Sequence, residues 1–437
     1  MTMLNDEWIQ RQFSGIQLGD LRLNRRAVSI AYACSRHPDA SLPNKFDRWA
    51  DIKGAYRLFD HSNATHSAIQ APHYKATITA AKETDSLVLF IQDGSELLYN
   101  SHHYTFGLGP TADAQGNGMM LHTCLATSFS KETYATQILG LGYQKCWVRK
   151  ETKESKKESA LWTETLQAIG SPPQHKQWIS VGDRGNDIYS FFEEAEKMHW
   201  GFVVRAKHNR HIIVDGKKQR LHPWVRALTA KKSFPLYLRA RGEEFSGEVE
   251  LELSWEKATV STSQGPTSTS CTFTYLRVHA SGRRKLEWIL VTNLSVETEE
   301  EALAVVEMYR KRWLIEEYHK ALKTGCRIEW SQMKQAHRLQ AFLGFLGVIA
   351  SQLLAFKEYS RLEPMQPASA SVPKEMIAMI TKYFKIPAKG LTVRDFWRLV
   401  ARLGGFLARK SDGEPGWQTT WHGFVRLQDM MLGFSLL

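Results

Sequence analysis

The most informative segment of the sequence is Tyr309–Lys323, which reads YRKRWLIEEYHKALK. Four further polar side chains follow Tyr309 at offsets of +3, +7, +11 and +14. They are Arg312, Glu316, Lys320 and Lys323. At about 100° per residue, all five side chains lie within roughly a quarter of the circumference of a helix. A solvated face with i,i+4 salt bridges, such as Glu316 with Lys320, is an equally good interpretation of the spacing.

The neighbouring arc of the same helix is apolar. It carries Met308, Ile315, Tyr318 and Leu322. Such an arc is typical of the face that a helix packs against a core. The sequence therefore predicts a helix with one packed face beside a strip of Tyr, Arg, Glu and Lys.

Two apolar runs upstream each lead to an aspartate. They are SLVLFIQD, which ends at Asp93, and WISVGD, which ends at Asp183. Both predict buried strands with a carboxylate at the end, where ligands collect in α/β sheets. Asp183 also fits a helix cap, because a turn and a helical pattern follow it. Together with Glu316 on a nearby helix, the two aspartates suggest an oxygen-ligand site for a divalent cation.

The remaining pattern predicts an α/β fold with a mixed sheet. Strands are predicted at 122–129, 135–143 and 201–205, and a helix at 188–198. Alternating residues predict a β-rich insertion over about 209–290, with a polar loop at 261–270. After a last strand at 286–291, we predict one long helix from Thr298 to Lys323.

Basic helices occupy the N-terminal part of the chain. The segments LGDLRLNRRAVSIAYACSRHP and WADIKGAYRLF carry Arg22, Arg25, Arg26 and Arg57. Solvated surface is the most common place for such arginines. Their clustering in a small helical module makes a DNA-contacting region at least as plausible.

Composition limits the class of protein. The 437 residues imply two or three domains, and the formal net charge of +12 favours a polyanionic partner, although a merely basic protein also fits. The five scattered cysteines fit neither a disulfide framework nor a structural zinc site. The apolar stretch 341–356 is shorter than the roughly 20 residues of a membrane span, so it predicts a buried helix. With no signal-peptide pattern, we expect a soluble, cytoplasmic protein without a membrane partner.

The helical strip also carries a recognisable signature. Tyr309, Arg312, Glu316 and Lys323 fill the pattern Y-x-x-R-x-x-x-E-x-x-x-x-x-x-K. This pattern resembles the signature of the insertion-sequence-four family of DDE transposases, to which the transposase of transposon Tn-five is closely related. The resemblance covers almost the whole chain, with matching segments LGDLRLNRR, GAYRLF, VGDRGNDIY, FVVRAKHNR, YRKRWLIEEYHKALKTG and ARLGGF.

The resemblance implies a fold and a catalytic centre. The fold is a ribonuclease H-like mixed-sheet catalytic core with a β-rich insertion, flanked by helical N- and C-terminal domains. Asp93, Asp183 and Glu316 would be the DDE triad and would hold two Mg²⁺ ions, with Mn²⁺ able to substitute.

The resemblance also implies DNA contacts. Tyr309, Arg312 and Lys323 would bind phosphates near the cut end, with Lys320 and Arg205 as neighbours. Trp288 lies 21 residues before Tyr309 and would stack on a base flipped out during hairpin formation. Without the resemblance, a tryptophan buried in a strand would be the more common interpretation of Trp288.

The implied activity is cut-and-paste DNA transposition in the nucleoid-associated cytoplasm of a bacterium. Residues 1–80 would bind transposon ends, 81–365 would form the catalytic domain and 374–437 would form a homodimer in a synaptic complex with target DNA. Two alternatives stay open. One is a structure-specific nuclease without strand transfer, and the other is a non-catalytic DNA-binding inhibitor.

Overall fold

The computed structural model describes residues 6–111, 116–149, 158–238, 247–261, 270–280, 286–362, 364–409 and 412–435. Four helices form its N-terminal region. They are α1 (Asp6–Phe13), α2 (Leu21–Arg36), α3 (Trp49–Phe59) and α4 (His66–Glu83). The Asp20 carboxylate accepts the Arg22 N–H at 2.7 Å and caps the start of α2. Thr65 Oγ1 accepts the Ala68 N–H at 3.2 Å and caps the start of α4.

Within the described residues, twelve strands form one mixed sheet. They are β1 (Leu87–Leu98), β2 (Gly109–Pro110), β3 (Asn117–Phe129), β4 (Thr136–Trp147), β5 (Trp178–Gly182), β6 (Gly201–Arg205), β7 (His211–Val214), β8 (Lys217–Arg220), β9 (Lys232–Leu238), β10 (Gly247–Ser261), β11 (Ser270–Ala280) and β12 (Glu287–Thr292). Three helices lie between these strands in the chain: α5 (Leu161–Ile169), α6 (Tyr189–Lys197) and α7 (Leu221–Ala227).

The strand order places Asp93, in β1, and Asp183, directly after β5, at the centre of the sheet. It runs β3-β1-β5-β6-β12-β11-β10-β7-β8, with β2 and β4 paired to β3 and β9 paired to β10. β1, β5 and β6 are parallel, and β3 and β12 flank them in antiparallel pairing. Every residue of β5 is buried, because both faces of the central strands are covered. The predicted mixed-sheet α/β core is confirmed, and it is ribonuclease H-like.

The predicted β-rich insertion is also confirmed. β7 to β11 extend the sheet beyond β12, and β12 then returns to pair with β6. Residues 262–269, which make up most of the predicted polar loop, lie outside the described residues.

Six helices complete the described chain. They are α8 (Glu299–Arg310), α9 (Trp313–Lys320), α10 (Ala336–Leu362), α11 (Lys374–Phe384), α12 (Val393–Leu403) and α13 (Trp417–Ser435). The predicted buried helix lies within α10. In the described part of the chain, only Ala336–Tyr359 is long and apolar enough to span a membrane, and 89% of its most apolar window is buried, as in the core helix of a soluble protein.

The prediction of one long helix over Thr298–Lys323 is wrong. Two turn residues separate α8 from α9, and residues 321–325 form a π-helical turn. At the break, the Arg312 N–H donates to Tyr309 O at 3.0 Å, an i−3 bond in place of the usual i−4 bond. The spacing of apolar side chains continues on both sides of the break, so the sequence pattern does not reveal it.

The prediction that Asp93 ends its strand is also wrong. β1 continues for five residues beyond Asp93 in antiparallel pairing with β3. Its parallel pairing with β5, however, stops at Ile91 opposite Val181. Asp93 therefore lies just beyond the point at which β5 stops covering the edge of β1.

Candidate active site

Asp93 and Asp183 lie at the same edge of the parallel strands. Ile91 pairs with Val181, and each aspartate follows its paired residue by two positions. Asp183 leaves the sheet as the cap of a short turn, where its Oδ1 accepts the Gly185 N–H at 2.7 Å. Asp183 therefore does form the cap that the sequence allowed as an alternative. The cap engages one of the two carboxylate oxygens of Asp183, which lies beside Asp93.

The Arg312 guanidinium joins the third carboxylate to the sheet. Arg312 Nη1 lies 3.1 Å from Asp93 Oδ2, and Nη2 forms an i,i+4 ion pair with Glu316. The side chains of Asp93 and Arg312 are each 19% exposed, and that of Glu316 is 34% exposed. α9 therefore holds Glu316 on the side of the sheet that carries Asp93.

Asp93 is costly to ionise in this arrangement. Burial away from water, followed by the nearby charge of Asp183, raises the pKa of Asp93 to about 7. The Arg312 charge and the Gly94 N–H, which donates to Asp93 Oδ1 at 2.8 Å, act in the opposite direction. A cation placed among these carboxylates would relieve their repulsion.

The neighbouring Glu317 is held elsewhere. Its carboxylate pairs with Lys357 Nζ of α10 at 2.5 Å and accepts the Trp313 Nε1–H at 3.2 Å. Burial acts to raise the pKa of Glu317, but the Lys357 hydrogen bond and charge outweigh burial and lower it. Of these two glutamates, Glu316 is therefore the one that faces Asp93.

The donor set fits a hard divalent cation, because carboxylate oxygens are the ligands that Mg²⁺ prefers. In the described ranges, no three His, Cys, Asp or Glu side chains are already gathered as a metal shell. Instead, the Arg312 guanidinium lies between Asp93 and Glu316, where positive charge is needed. Closing a metal shell with these carboxylates therefore requires Arg312 to turn away.

Trp288, Tyr309 and Arg205 form a second cluster. The Trp288 and Tyr309 rings meet edge to face, with centroids 5.5 Å apart. Tyr309 is buried and Trp288 is half-buried. Arg205 Nη2 donates to Glu287 O at 2.9 Å, and its guanidinium lies near Tyr309. The structure thus brings together three residues that the resemblance assigned to DNA contacts.

The other predicted DNA contacts are spread more widely. Lys320 is exposed at the end of α9, and Lys323 lies in the π-helical turn with its Nζ 3.8 Å from Glu329. In α2, Arg22 pairs with Asp20 at 3.0 Å and Arg26 pairs with Asp51 at 2.9 Å. Two more predicted contacts, Arg25 in α2 and Arg57 in α3, are exposed.

A basic cavity beside Arg205 was missed from the sequence. It has a volume of about 280 Å³, and its polar lining is Arg184, Arg205, Lys207, His222, Arg226 and Glu287. Buried Asp187 holds the adjoining loop, because its Oδ2 accepts the Lys207 N–H at 2.6 Å and the His208 N–H at 2.8 Å. The segments VGDRGND and VVRAKHNR contain Arg184, Arg205 and Lys207, whereas Arg226 comes from α7, and spacing in the sequence does not show that these side chains meet.

Comparison with known families gives three successive matches. Residues 5–64 match a transposase DNA-binding family, 146–353 match a transposase DDE domain and 368–434 match the Tn5 transposase dimerisation domain. The first match contains all four predicted arginines of α2 and α3. The second contains Asp183 and Glu316, whereas Asp93 precedes it.

One similar solved structure is described as the cryo-EM structure of the piggyBac transposase synaptic complex with hairpin DNA. The two sequences are 9% identical, and the alignment covers 88% of this chain and 73% of the other. The TM-score is 0.36.

Proposed function

This chain belongs to the DDE transposases, as a relative of the Tn5 transposase, and on that premise we propose that it is a cut-and-paste enzyme. It cleaves DNA at the ends of its transposon and joins the freed 3′-hydroxyl groups to target DNA. Its partners are DNA and, through the dimerisation domain, a second copy of the chain.

Asp93, Asp183 and Glu316 are the proposed catalytic carboxylates. Like other DDE enzymes the protein depends on divalent metal, which we take to be two Mg²⁺ ions with Mn²⁺ able to substitute. When bound, these ions activate the attacking hydroxyl and stabilise the leaving oxygen. The observation that carries this assignment is the Arg312 bridge, because it marks Asp93 and Glu316 as a partly buried pair in need of positive charge.

The side chains around the carboxylates have proposed roles in holding DNA. Once Arg312 leaves the carboxylates, its planar guanidinium suits bidentate contact with the phosphate beside the cut. Lys320 at the end of α9 and Lys323 in the π-helical turn add positive charge further along the chain. Tyr309 and Arg205 support Trp288, which stacks on a flipped base.

The proposed reaction has four steps. Water first cuts one strand at the transposon end and frees a 3′-hydroxyl. That hydroxyl attacks a phosphodiester of the opposite strand, which closes a hairpin on the transposon end and releases the flanking DNA. Water then opens the hairpin, and the regenerated 3′-hydroxyl attacks a phosphodiester of target DNA.

The proposed division of labour follows the regions of the chain. Residues 1–80 hold the transposon end, residues 81–365 catalyse, and residues 374–437 join two copies in the synaptic complex. In that complex each catalytic site cuts the end held mainly by the other subunit. The reaction takes place in the cytoplasm of a bacterium, where the protein is associated with the nucleoid.

End cleavage tests the carboxylate assignment. The substrate is a labelled duplex taken from the inverted repeats that flank the gene, incubated with full-length protein and Mg²⁺. We expect nicks followed by hairpins, and neither product with Glu316→Ala. The matched control Glu317→Gln changes the neighbouring carboxylate and should still cleave. Equal products with Glu316→Ala would show that the assignment is wrong.

The same assay separates the alternatives. Trp288→Ala should lower the ratio of hairpins to nicks, because the flipped base loses its stacking partner. Added target plasmid should yield joined products. Cleaved ends that are never joined would favour a structure-specific nuclease, and end binding without cleavage would favour an inhibitor.

A further inference from the structure

A buried hydrogen-bond network centred on Gln144 lies behind the catalytic helix α9. Gln144 is a β4 residue with 2% exposure. Its Nε2 donates to Thr123 Oγ1 at 3.0 Å and to Tyr318 OH at 2.8 Å. Its Oε1 accepts from Gln70 Nε2 at 3.0 Å and lies 3.1 Å from His66 Nε2. Every donor and acceptor position of the amide is therefore engaged.

Gln144 belongs to a row of residues that crosses the sheet. Asp93 of β1 pairs with Thr123 of β3, and Thr123 pairs with Gln144 of β4. Directly paired residues of neighbouring strands project from the same face of a sheet. We call Asp93, Thr123 and Gln144 the cross-strand row.

α9 rests on the cross-strand row through two buried side chains. Tyr318 OH accepts from Gln144 and donates to Gly347 O of α10 at 3.2 Å. His319 Nε2 lies 3.2 Å from Thr123 Oγ1. Tyr318 and His319 follow Glu316 by two and three positions. Their contacts therefore fix where Glu316 lies along the row that begins with Asp93.

The network also extends to the N-terminal region. Gln70 and His66 belong to α4, so Gln144 contacts both α4 and α9. A Cβ at Gly347 would lie 2.6 Å from Gln70 Nε2 and 2.8 Å from Gln144 Oε1. The glycine therefore leaves the space in which these amides meet.

A polar network at this place selects one geometry. An apolar contact can slide along a helix with little loss of burial. A buried amide with four partners loses hydrogen bonds as soon as the helix shifts, and unpaired buried groups are costly. The arrangement therefore suits the fixing of helix register better than it suits stabilisation alone.

We propose that Gln144 is a positioning residue for the catalytic carboxylates. Acting through Thr123 and Tyr318, it holds α9 in the register that sets Glu316 opposite Asp93. Through α4 it ties that register to the N-terminal region. The inference rests on the proposed role of Asp93 and Glu316 in holding metal. Loss of partners that orient ligand-bearing groups typically weakens metal binding by about 10–100-fold.

The test measures Mn²⁺ binding by full-length protein in complex with end DNA, using the EPR signal of free Mn²⁺. Tyr318→Phe keeps the buried ring and removes the hydroxyl that Gln144 contacts. We expect Mn²⁺ affinity to fall by about tenfold, while affinity for end DNA stays unchanged. The matched control is Tyr275→Phe, which removes a buried hydroxyl that has no hydrogen-bond partner among the described residues. It should change neither affinity.

A double variant tests the route through Gln144. Because the two residues share one hydrogen bond, adding Gln144→Leu to Tyr318→Phe should lower Mn²⁺ affinity by less than the two single effects combined. Wild-type Mn²⁺ affinity in Tyr318→Phe, with only a lower melting temperature, would overturn the inference and leave the transposase assignment intact. Mn²⁺ binding that survives Glu316→Ala would instead overturn the carboxylate site itself, and this inference with it.

Discussion

The surroundings of Asp93 oppose the ionisation of its carboxyl group. Its folded-state pKa of about 7 exceeds the ordinary value of 3.8, so the folded chain holds the proton more tightly than the unfolded chain does. The sign follows from linkage. The contribution of this group to stability is fully present at low pH and is lost as the pH rises through about 7. Above that pH, without metal, ionised Asp93 destabilises the fold.

Asp93→Asn should therefore stabilise the metal-free protein at pH 8. The gain in free energy of unfolding should reach a few kcal/mol, because the amide stays neutral, and it should shrink as the pH falls toward 4. Denaturant unfolding in EDTA at several pH values measures this. Exposed Asp85→Asn, which alters only a surface pair with Lys176, serves as the control. An equal gain at every pH would contradict the explanation.

Arg312 should compete with metal ions in the absence of DNA. Its guanidinium lies between Asp93 and Glu316, so Arg312→Gln should tighten Mn²⁺ binding to the free protein. The same change should slow end cleavage, because a phosphate contact is lost. Calorimetric titration measures the affinity.

Arg310→Gln is the matched control for this competition. Arg310 ends α8 and its guanidinium pairs with Glu307, so the variant should bind Mn²⁺ as the wild type does. Weaker Mn²⁺ binding by Arg312→Gln would show that the guanidinium supports the metal-binding arrangement and does not oppose it.

Among the helices and strands, the sequence pattern predicted those whose formation depends on the residues of the element itself. The central strands are continuous apolar runs, so β1, β5 and β6 could be placed from the sequence. The break between α8 and α9 could not, because a switch from i−4 to i−3 hydrogen bonds keeps apolar residues on one face. The hairpin extension of β1 past Asp93 depends on pairing with β3, which its own residues do not encode.

Contacts between distant residues also lay beyond the sequence pattern. The signature residues Arg312 and Glu316 were predicted correctly as i,i+4 neighbours, although Arg312 lies in the turn before α9 and not within a continuous helix. The Arg312–Asp93 pair joins residues 219 positions apart, and the Gln144–Tyr318 bond joins residues 174 positions apart. Only the packing of α9 on the sheet creates these contacts. A lone buried glutamine in a strand gives no signal of such a role.

Gly347→Ala tests the close approach of α10 to the network. The added methyl group would meet two side-chain amides at 2.6 and 2.8 Å, so we expect a loss of about 1–3 kcal/mol in the free energy of unfolding. Gly433→Ala in α13 is the control, since its Cβ has no atom within 4 Å, and it should be neutral or slightly stabilising. Equal free energies of unfolding for the two variants would contradict the proposed crowding around Gly347.

At the scale of the whole molecule, the N-terminal region is fastened to the core. Asp60, which follows α3, accepts two hydrogen bonds from Arg338 at 2.6 and 2.7 Å and lies 3.0 Å from His337 Nε2. Both partners belong to α10. Together with Gln144, this clamp holds the basic helices in a defined relation to the carboxylates.

The net charge of +12 should make end binding strongly salt-dependent. Each phosphate contact contributes about one unit to the slope of log K against log salt, so Arg25→Gln and Arg57→Gln should each lower the slope by about one. Binding titrations at several salt concentrations measure it. Arg409→Gln, outside the DNA-binding match, should leave the slope unchanged. Slopes unchanged in all three variants would remove α2 and α3 from the interface.

The chain leaves the core at Arg205 and re-enters it at β12, and these two points are adjacent. Leu290 pairs with Arg205, and the Ala206 N–H donates to Ile289 O at 2.8 Å. Because the two ends of this inserted segment lie side by side, the segment can change in length without moving the strands of the core. The outer strands and loops of this segment can therefore change in length, provided that Phe273 keeps its packing against Phe192 and Phe202 and that the segment returns at Trp288.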